Sequence, residues 1–262
     1  MDQMLPVRSA ATVLPLRDGP QGVEVLMLRR NLRSDFVGGA YVFPGGAVDD
    51  DDHSVHDLVV GLSDDVASAR LGVVSGALAY YVAAVRELFE EAGLLLACDE
   101  NGAARQWDDA ATVGRMALNR LAVNAGTIGF FDMLRAEGLR LDLRGLHYLA
   151  HWVTPLGPPR RFDTRFFVTR APQDQVATHD EGETVADAWI RPIDAIAAQQ
   201  RGDFALILPT ITHLRGIAHF ATVDDVLEHA QSQVNIPRIE PRIVEVDGVM
   251  RIMLPDGNSF DA

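Results

Sequence analysis

The 262-residue chain contains no lysine; all 23 of its basic residues are arginine. GC-rich coding, which favours Arg and Ala, explains such a bias without any functional demand. It still removes Schiff-base and P-loop lysines, and with them those chemistries. Cysteine is nearly absent too. Cys98 stands alone, so an internal disulfide is excluded and a reducing, cytoplasmic setting is expected. No run reaches the roughly 18 uninterrupted apolar residues of a membrane span. The opening stretch from Met1 to Pro6 lacks the basic start and apolar run of a secretory signal. Positive charge is scarce overall, with 37 acidic residues against 23 basic and a net charge of −14. Such a surface repels nucleic acid and anionic lipid, so neither is expected as a partner. What remains is ordinary globular composition, 48% apolar and 23% charged, long enough to bury a sizeable core.

Patterning then sets the order of elements. Ala10–Leu16 and Val23–Leu28 are β-rich runs around an Asp18-Gly19-Pro20 turn, which predicts a hairpin. A short β segment follows at Gly38–Phe43 and closes in Pro44-Gly45-Gly46. The next stretch, to about Gly72, has no clear period and reads as loop with a short helix. Its Asp49–Asp52 run is either a solvated loop or the border of a cation site. Leu78, Val82, Val85 and Phe89 recur at helical steps, predicting a helix from about Ser75 to Ala92 that stops at Gly93. Helices are also expected at about 109–123, 129–136, 192–200, 206–218 and 223–233. Strands are expected around 146–153, 162–169 and 185–190, with a closing hairpin at 243–246 and 250–254. Interspersed strands and helices predict an α/β or α+β fold with helices against a mixed sheet.

The chemistry concentrates in Arg86-Glu87-Leu88-Phe89-Glu90-Glu91-Ala92-Gly93-Leu94. On a helix, Glu87, Glu90 and Glu91 share one face at i, i+3 and i+4. Three neighbouring carboxylates repel one another and raise at least one pKa, and a bound divalent cation compensates this naturally. Arg86, four residues before Glu90, can hold a carboxylate in one rotamer. Taken alone, such a cluster is also what an exposed acidic helix presents.

Residues 86–94 nevertheless resemble the second half of the Nudix box, G-x5-E-x7-R-E-U-x-E-E-x-G-U with U aliphatic, and fill every specified position. Pro44-Gly45-Gly46 resembles the turn that opens the box. The resemblance implies the Nudix α/β/α sandwich with a mixed sheet and hydrolysis of a diphosphate linked to another group. It implies Mg²⁺ or Mn²⁺, with Glu87, Glu90 and Glu91 as ligands or base-supporting groups and Arg86 as their orienter. In the uninterrupted box the opening Gly lies 14 residues before the Arg, whereas Gly46 lies 40 before Arg86. Counting strictly reaches Gly72 and puts Leu78 where the first Glu belongs. The favoured reading is an insertion at 47–73 after the Pro-Gly-Gly turn, with Asp49 a candidate stand-in for the first Glu. One domain, 1–262, then carries this insertion and a helical C-terminal extension at 201–262, where a homodimer contact could form.

An interrupted box is similar to the coenzyme A diphosphatase-like Nudix proteins of the peroxisomal mammalian type. Leu28-Arg29-Arg30, Phe36, Trp152-Val153-Thr154-Pro155 and the run Arg160 to Phe167 continue that likeness. It implies a nucleotide-type small-molecule substrate, CoA or acyl-CoA, cut to 3′,5′-ADP and phosphopantetheine. Asn258 to Ala262 does not resemble a peroxisomal address, so only the chemistry would carry over. ADP-ribose, a nucleotide sugar or a dinucleotide are alternatives, as is a silent domain that binds a nucleotide and regulates a partner. Gly45 and Gly46 would approach the substrate. Arg30, Arg160, Arg161 and Arg165 are candidates for its phosphates, with Arg29 and Arg33 at lower weight. A loop acid, Glu181 or Glu183, is expected to join the metal or act as base. His151, His179 and the tryptophans Trp107, Trp152 and Trp189 read as structural.

Overall fold

The computed structural model describes residues 6–32, 38–180, 182–246 and 248–261. Its first hairpin pairs β1 (Val7–Gly19) with β2 (Gly22–Arg30), and two short strands follow, β3 (Tyr41–Val42) and β4 (Gly45–Ala47). Two 3-10 turns lead to β5 (Val59–Val60), α1 (Asp64–Leu71) and α2 (Leu78–Ala92). Then come β6 (Ala97–Cys98), α3 (Ala110–Asn124), α4 (Phe130–Glu137), β7 (Arg140–Asp142), β8 (His147–Val153), β9 (Arg161–Arg170) and β10 (Thr184–Ile190). The chain ends through α5 (Pro192–Arg201), α6 (Leu208–Ile217), α7 (Val223–Ser232), β11 (Arg238–Ile239), β12 (Arg242–Val246), β13 (Val249–Met253) and β14 (Ser259–Asp261).

The main sheet is mixed and runs β10-β2-β1-β9-β8-β11, with β3 joined to β2 and β4 to β1. β1 and β9 are parallel neighbours, while β1–β2, β2–β10 and β8–β9 are antiparallel. Alternate residues of β2 are buried on opposite faces, as a strand covered on both sides requires. Leu26 and Leu28 join a core with Tyr81, Val82, Val85, Leu88 and Phe89 of α2. Val25 and Met27 join a second core with Leu214, Ile217, Val223 and Val226 of α6 and α7. Helices therefore cover both faces, giving the expected α/β/α sandwich. The extension is helical through α7 and then turns to strand, with β12, β13 and β14 forming a small sheet of their own.

The glutamate-bearing helix is held at both ends. At its start no residue of its own caps it. Asp64 of α1 instead accepts from the N–H groups of Gly76 at 2.8 Å and Leu78 at 2.9 Å. At its end Gly93 adopts φ 70°, a left-handed conformation open to glycine at little cost. Gly72, the alternative box glycine, is the left-handed end of α1, and a Cβ on it would meet nothing within 4 Å. Trp107 and Trp152 are buried, and Trp189 is partly buried beneath the Arg17 guanidinium at 4.4 Å. No described helix is long and apolar enough to cross a membrane.

Candidate active site

Arg86 organises the site. Its stripe on α2 faces β4 and the first 3-10 turn, so its guanidinium reaches four partners while the residue stays 6% exposed. Nε and Nη2 donate to the two oxygens of Asp52, each at 3.0 Å, a bidentate pair. Nη2 also donates to the Ala47 carbonyl at 2.8 Å. Nη1 donates to Glu87 at 2.8 Å and Glu90 at 3.2 Å. Burial disfavours the charge, but Asp52, Glu87 and Glu90 outweigh it and bind the proton more tightly than in water.

Asp52 is the member of this cluster that the sequence pattern did not single out. Asp49, named there as the stand-in, is largely exposed and lies 3.4 Å from Arg86, whereas Asp52 is fully buried. Five residues separate Gly46 from Asp52, as in the G-x5-E opening of the box, so counting forward from Gly46 would have found it. Burial pushes the Asp52 carboxyl up, and Arg86 pulls it back only in part.

The three glutamates lie in a different balance. Gly46 is close enough that a Cβ on it would run into the Glu87 carboxylate, and the Gly45 N–H donates to Glu91 at 3.0 Å. The Pro-Gly-Gly turn thus lies on the acidic face of α2. Burial raises Glu87 to about 7 against the pull of Arg86, with the charges of Glu90 and Glu183 adding to the rise. Burial also raises Glu90. Glu91 stands well above the ordinary range through burial and the charge of Glu87. Carboxylates outnumber the cations that face them.

Strand pairing brings in the remaining groups. Thr184 of β10 lies opposite Arg30 of β2, which sets Glu183 beside Arg30 at 3.7 Å. The charges of both reach Glu91, Arg30 lowering its pKa and Glu183 raising it. Glu183 is therefore the loop acid that the described residues place with the cluster. Glu181, Arg33 and Phe36 lie outside the described residues.

Arg161 and Arg165 are not brought there. Arg161 is buried and donates to the Thr154 carbonyl at 3.0 Å and to Glu240 at 2.7 Å. Arg165 is buried, donates to Asp163 at 3.1 Å and lies over the Tyr80 ring. Both take part in the packing of β9, and these partners lie away from Arg86 and the glutamates. Arg160 is exposed at the start of the same strand. Arg29 projects on the other face, over Tyr41. His151 is buried against Asp163 at 2.8 Å and His179 pairs with Asp187 at 2.7 Å.

Among the described residues no three Asp, Glu, His or Cys side chains already converge on a single metal position. The donor set still fits a hard divalent ion. It offers only carboxylate oxygens, raised above their ordinary pKa by burial with the charges of neighbouring carboxylates adding to the rise, and Mg²⁺ or Mn²⁺ would favour their charged forms. Beside Arg86 and Glu90 opens a cleft of about 480 Å³, walled by Asp49, Asp51, Asp52, Val55, Ile128 and the start of α4.

Comparison with known proteins agrees with this geometry. Residues 62–217 match the NUDT19 Nudix domain. The acyl-coenzyme A diphosphatase NUDT19 of Homo sapiens is 28% identical over 253 residues, covering 81% of this chain and 65% of its own length. That of Xenopus laevis is 25% identical over 234 residues, covering 78% and 62%. The chain thus spans less than two thirds of these relatives. The crystal structure of a NUDIX hydrolase from Alicyclobacillus acidocaldarius aligns over 86% of this chain and 97% of its own, with 28% identity and a TM-score of 0.69.

Proposed function

The chain belongs to the NUDT19 Nudix domain family, and from that premise we propose that it hydrolyses the diphosphate of coenzyme A or an acyl-CoA to 3′,5′-ADP and the corresponding phosphopantetheine. The observation that carries the proposal is the gathering of Glu87, Glu90 and Glu91 by Arg86 and Asp52 beneath Gly45 and Gly46. The substrate rests on the acyl-coenzyme A diphosphatase relatives.

Each residue has a part set by its surroundings. Glu87, Glu90 and Glu91 would hold Mg²⁺ or Mn²⁺, which when bound supplies the positive charge that diphosphate oxygens require and makes water more acidic. Arg86 keeps Glu87 and Glu90 in one orientation, and Asp52 keeps Arg86 from swinging out. Gly46, lacking a side chain, leaves room for the Glu87 carboxylate. Glu183 takes a proton from the attacking water. The water oxygen forms a bond to one phosphorus, the bridging P–O bond breaks, and the departing phosphate keeps the electron pair. Arg30, beside Glu183, faces the anionic substrate from β2. The buried, unpaired Cys98 fits a cytoplasmic setting for this chemistry.

The test is product analysis by mass spectrometry after incubating CoA in ¹⁸O-water with Mg²⁺ and with Mn²⁺. Expected are 3′,5′-ADP and phosphopantetheine, with the label in one of them. Cleavage of ADP-ribose or a dinucleotide while CoA stays intact would move the substrate assignment. Binding without turnover of any of them would overturn the enzymatic reading.

A further inference from the structure

Arg120 lies on α3, outside both the glutamate-bearing helix and the strands that carry Gly45, Arg30 and Glu183. It is 9% exposed. Its Nε donates to the Glu90 carbonyl at 3.0 Å and its Nη1 to the Thr178 hydroxyl at 2.9 Å. The Thr178 N–H in turn donates to the Ala92 carbonyl at 3.0 Å. Three segments therefore meet at one guanidinium. The contact is close: a Cβ on Gly93 would stand 3.1 Å from Nη1 and 3.5 Å from the Thr178 hydroxyl.

Capping α2 does not by itself explain a buried cation here. A cation near a helix C-terminus is favourable, but an exposed arginine would supply it without desolvation. The Glu90 carbonyl also has a second donor, Asn124 Nδ2 at 3.0 Å. What Arg120 adds is its arm to Thr178. Beyond Thr178 the chain is braced internally. His179 is pinned to Asp187 at 2.7 Å. Asp180 accepts from the Glu183 N–H at 3.0 Å, the Thr184 N–H at 2.8 Å and the Thr184 hydroxyl at 2.7 Å. Moving Thr178 would therefore move Glu183.

We infer that Arg120 is a positioning residue that ties the chain at Thr178, and through it Glu183, to the carboxyl end of the glutamate-bearing helix. The inference rests on the reading that Glu183 takes a proton from the attacking water. It assigns α3 a part in the reaction through a side chain that acts by way of Thr178.

The experiment compares Arg120→Gln, Thr178→Val and Asn124→Ala in the full chain by hydrogen exchange of the 175–184 peptide and by CoA kinetics with Mg²⁺. Thr178→Val cuts only the loop arm and carries the test should Arg120→Gln fail to fold. In both tether variants exchange of the peptide should rise about tenfold or more. kcat should fall roughly 10- to 100-fold with KM within about twofold. On a Glu183→Gln background neither variant should lower kcat further, the non-additivity expected of residues acting in series. Asn124→Ala should leave peptide exchange and kcat as they were. Wild-type exchange and kcat in Thr178→Val would overturn the inference, as would an equal loss in Asn124→Ala. A wild-type protein that leaves CoA intact sinks the proposed function instead, and the exchange data still decide the tether.

Discussion

Helix α2 and strand β9 both bury arginines, and they balance them in opposite ways. On β9 each guanidinium meets a carboxylate, Glu240 for Arg161 and Asp163 for Arg165, and each carboxylate serves a second partner, Arg238 at Glu240 and His151 at Asp163. On α2 one guanidinium faces Asp52, Glu87 and Glu90, with Glu91 close by and bonded to a backbone N–H. Where cations at least match the carboxylates, the set closes on itself and stabilises packing. An unmatched one stores an excess of negative charge, which is what a cation-dependent site needs before its ion arrives. Balance, more than residue type, separates structural charge from functional charge here.

That contrast breaks most visibly under charge removal. Glu91→Gln should lower kcat on the order of 10²–10⁴-fold, the range for losing a group that acts on the reacting atoms. Because burial already favours the neutral form of Glu91, its melting temperature without metal should hold or rise. Steady-state kinetics and calorimetry on one preparation decide both. Next comes Asp52→Ala, which leaves Arg86 buried beside a lost bidentate partner and should cost about 3–5 kcal/mol in urea unfolding. Arg161→Met should instead cost about 1–3 kcal/mol and leave KM for CoA unchanged, since the bonds lost, to Thr154 and Glu240, are structural and Glu240 keeps Arg238. A raised KM would return Arg161 to the substrate site.

Acid sharpens the comparison because the two regions respond with opposite sign. Glu87 titrates near 7 in the folded protein against an ordinary 4.5. Below 4.5 it is protonated whether folded or unfolded, and its contribution is fully present. As pH rises through 7 the folded protein must carry a buried anion, and that contribution is lost. Asp163 runs the other way. Burial pushes it up, but the His151 bond and the charge of Arg165 hold it below the ordinary 3.8. Its contribution is present at neutral pH and fades as pH falls through that lowered value. Mg²⁺ should therefore raise the melting temperature more at pH 8 than at pH 5.5, and Glu87→Gln should flatten the metal-free profile near 7. An equal metal effect at both pH values would contradict the charge-deficit account.

The smallest effects separate the two candidate box glycines. Gly72→Ala should cost about 1 kcal/mol through its left-handed backbone and leave turnover intact. Gly46→Ala should cut turnover by displacing Glu87, with little change in unfolding free energy.

Much of this was legible in the chain. Helical spacing of Leu78, Val82, Val85 and Phe89, with Gly93 behind them, fixed the glutamate face because local periodicity and a local stop both act within a few residues. Asp52 escaped because the extra residues broke the count to Arg86, although the count from Gly46 was intact. The pairing of Arg161 and Arg165 was not legible for another reason. Whether an arginine is spent or available depends on its partner, and Glu240 lies 79 residues from Arg161. Arg120 gave no local signal, since its partners come from two other segments.

The Asp64 carboxylate, finally, makes the stretch between the Pro-Gly-Gly turn and α2 more than an ornament. It supplies what a Ser or Thr would normally supply from the residue just ahead of a helix. Excising that stretch to regenerate an uninterrupted box would strip two backbone donors of their acceptor at the opposite end from the glutamates. Any graft of this helix onto a shorter scaffold would have to bring a replacement acceptor with it.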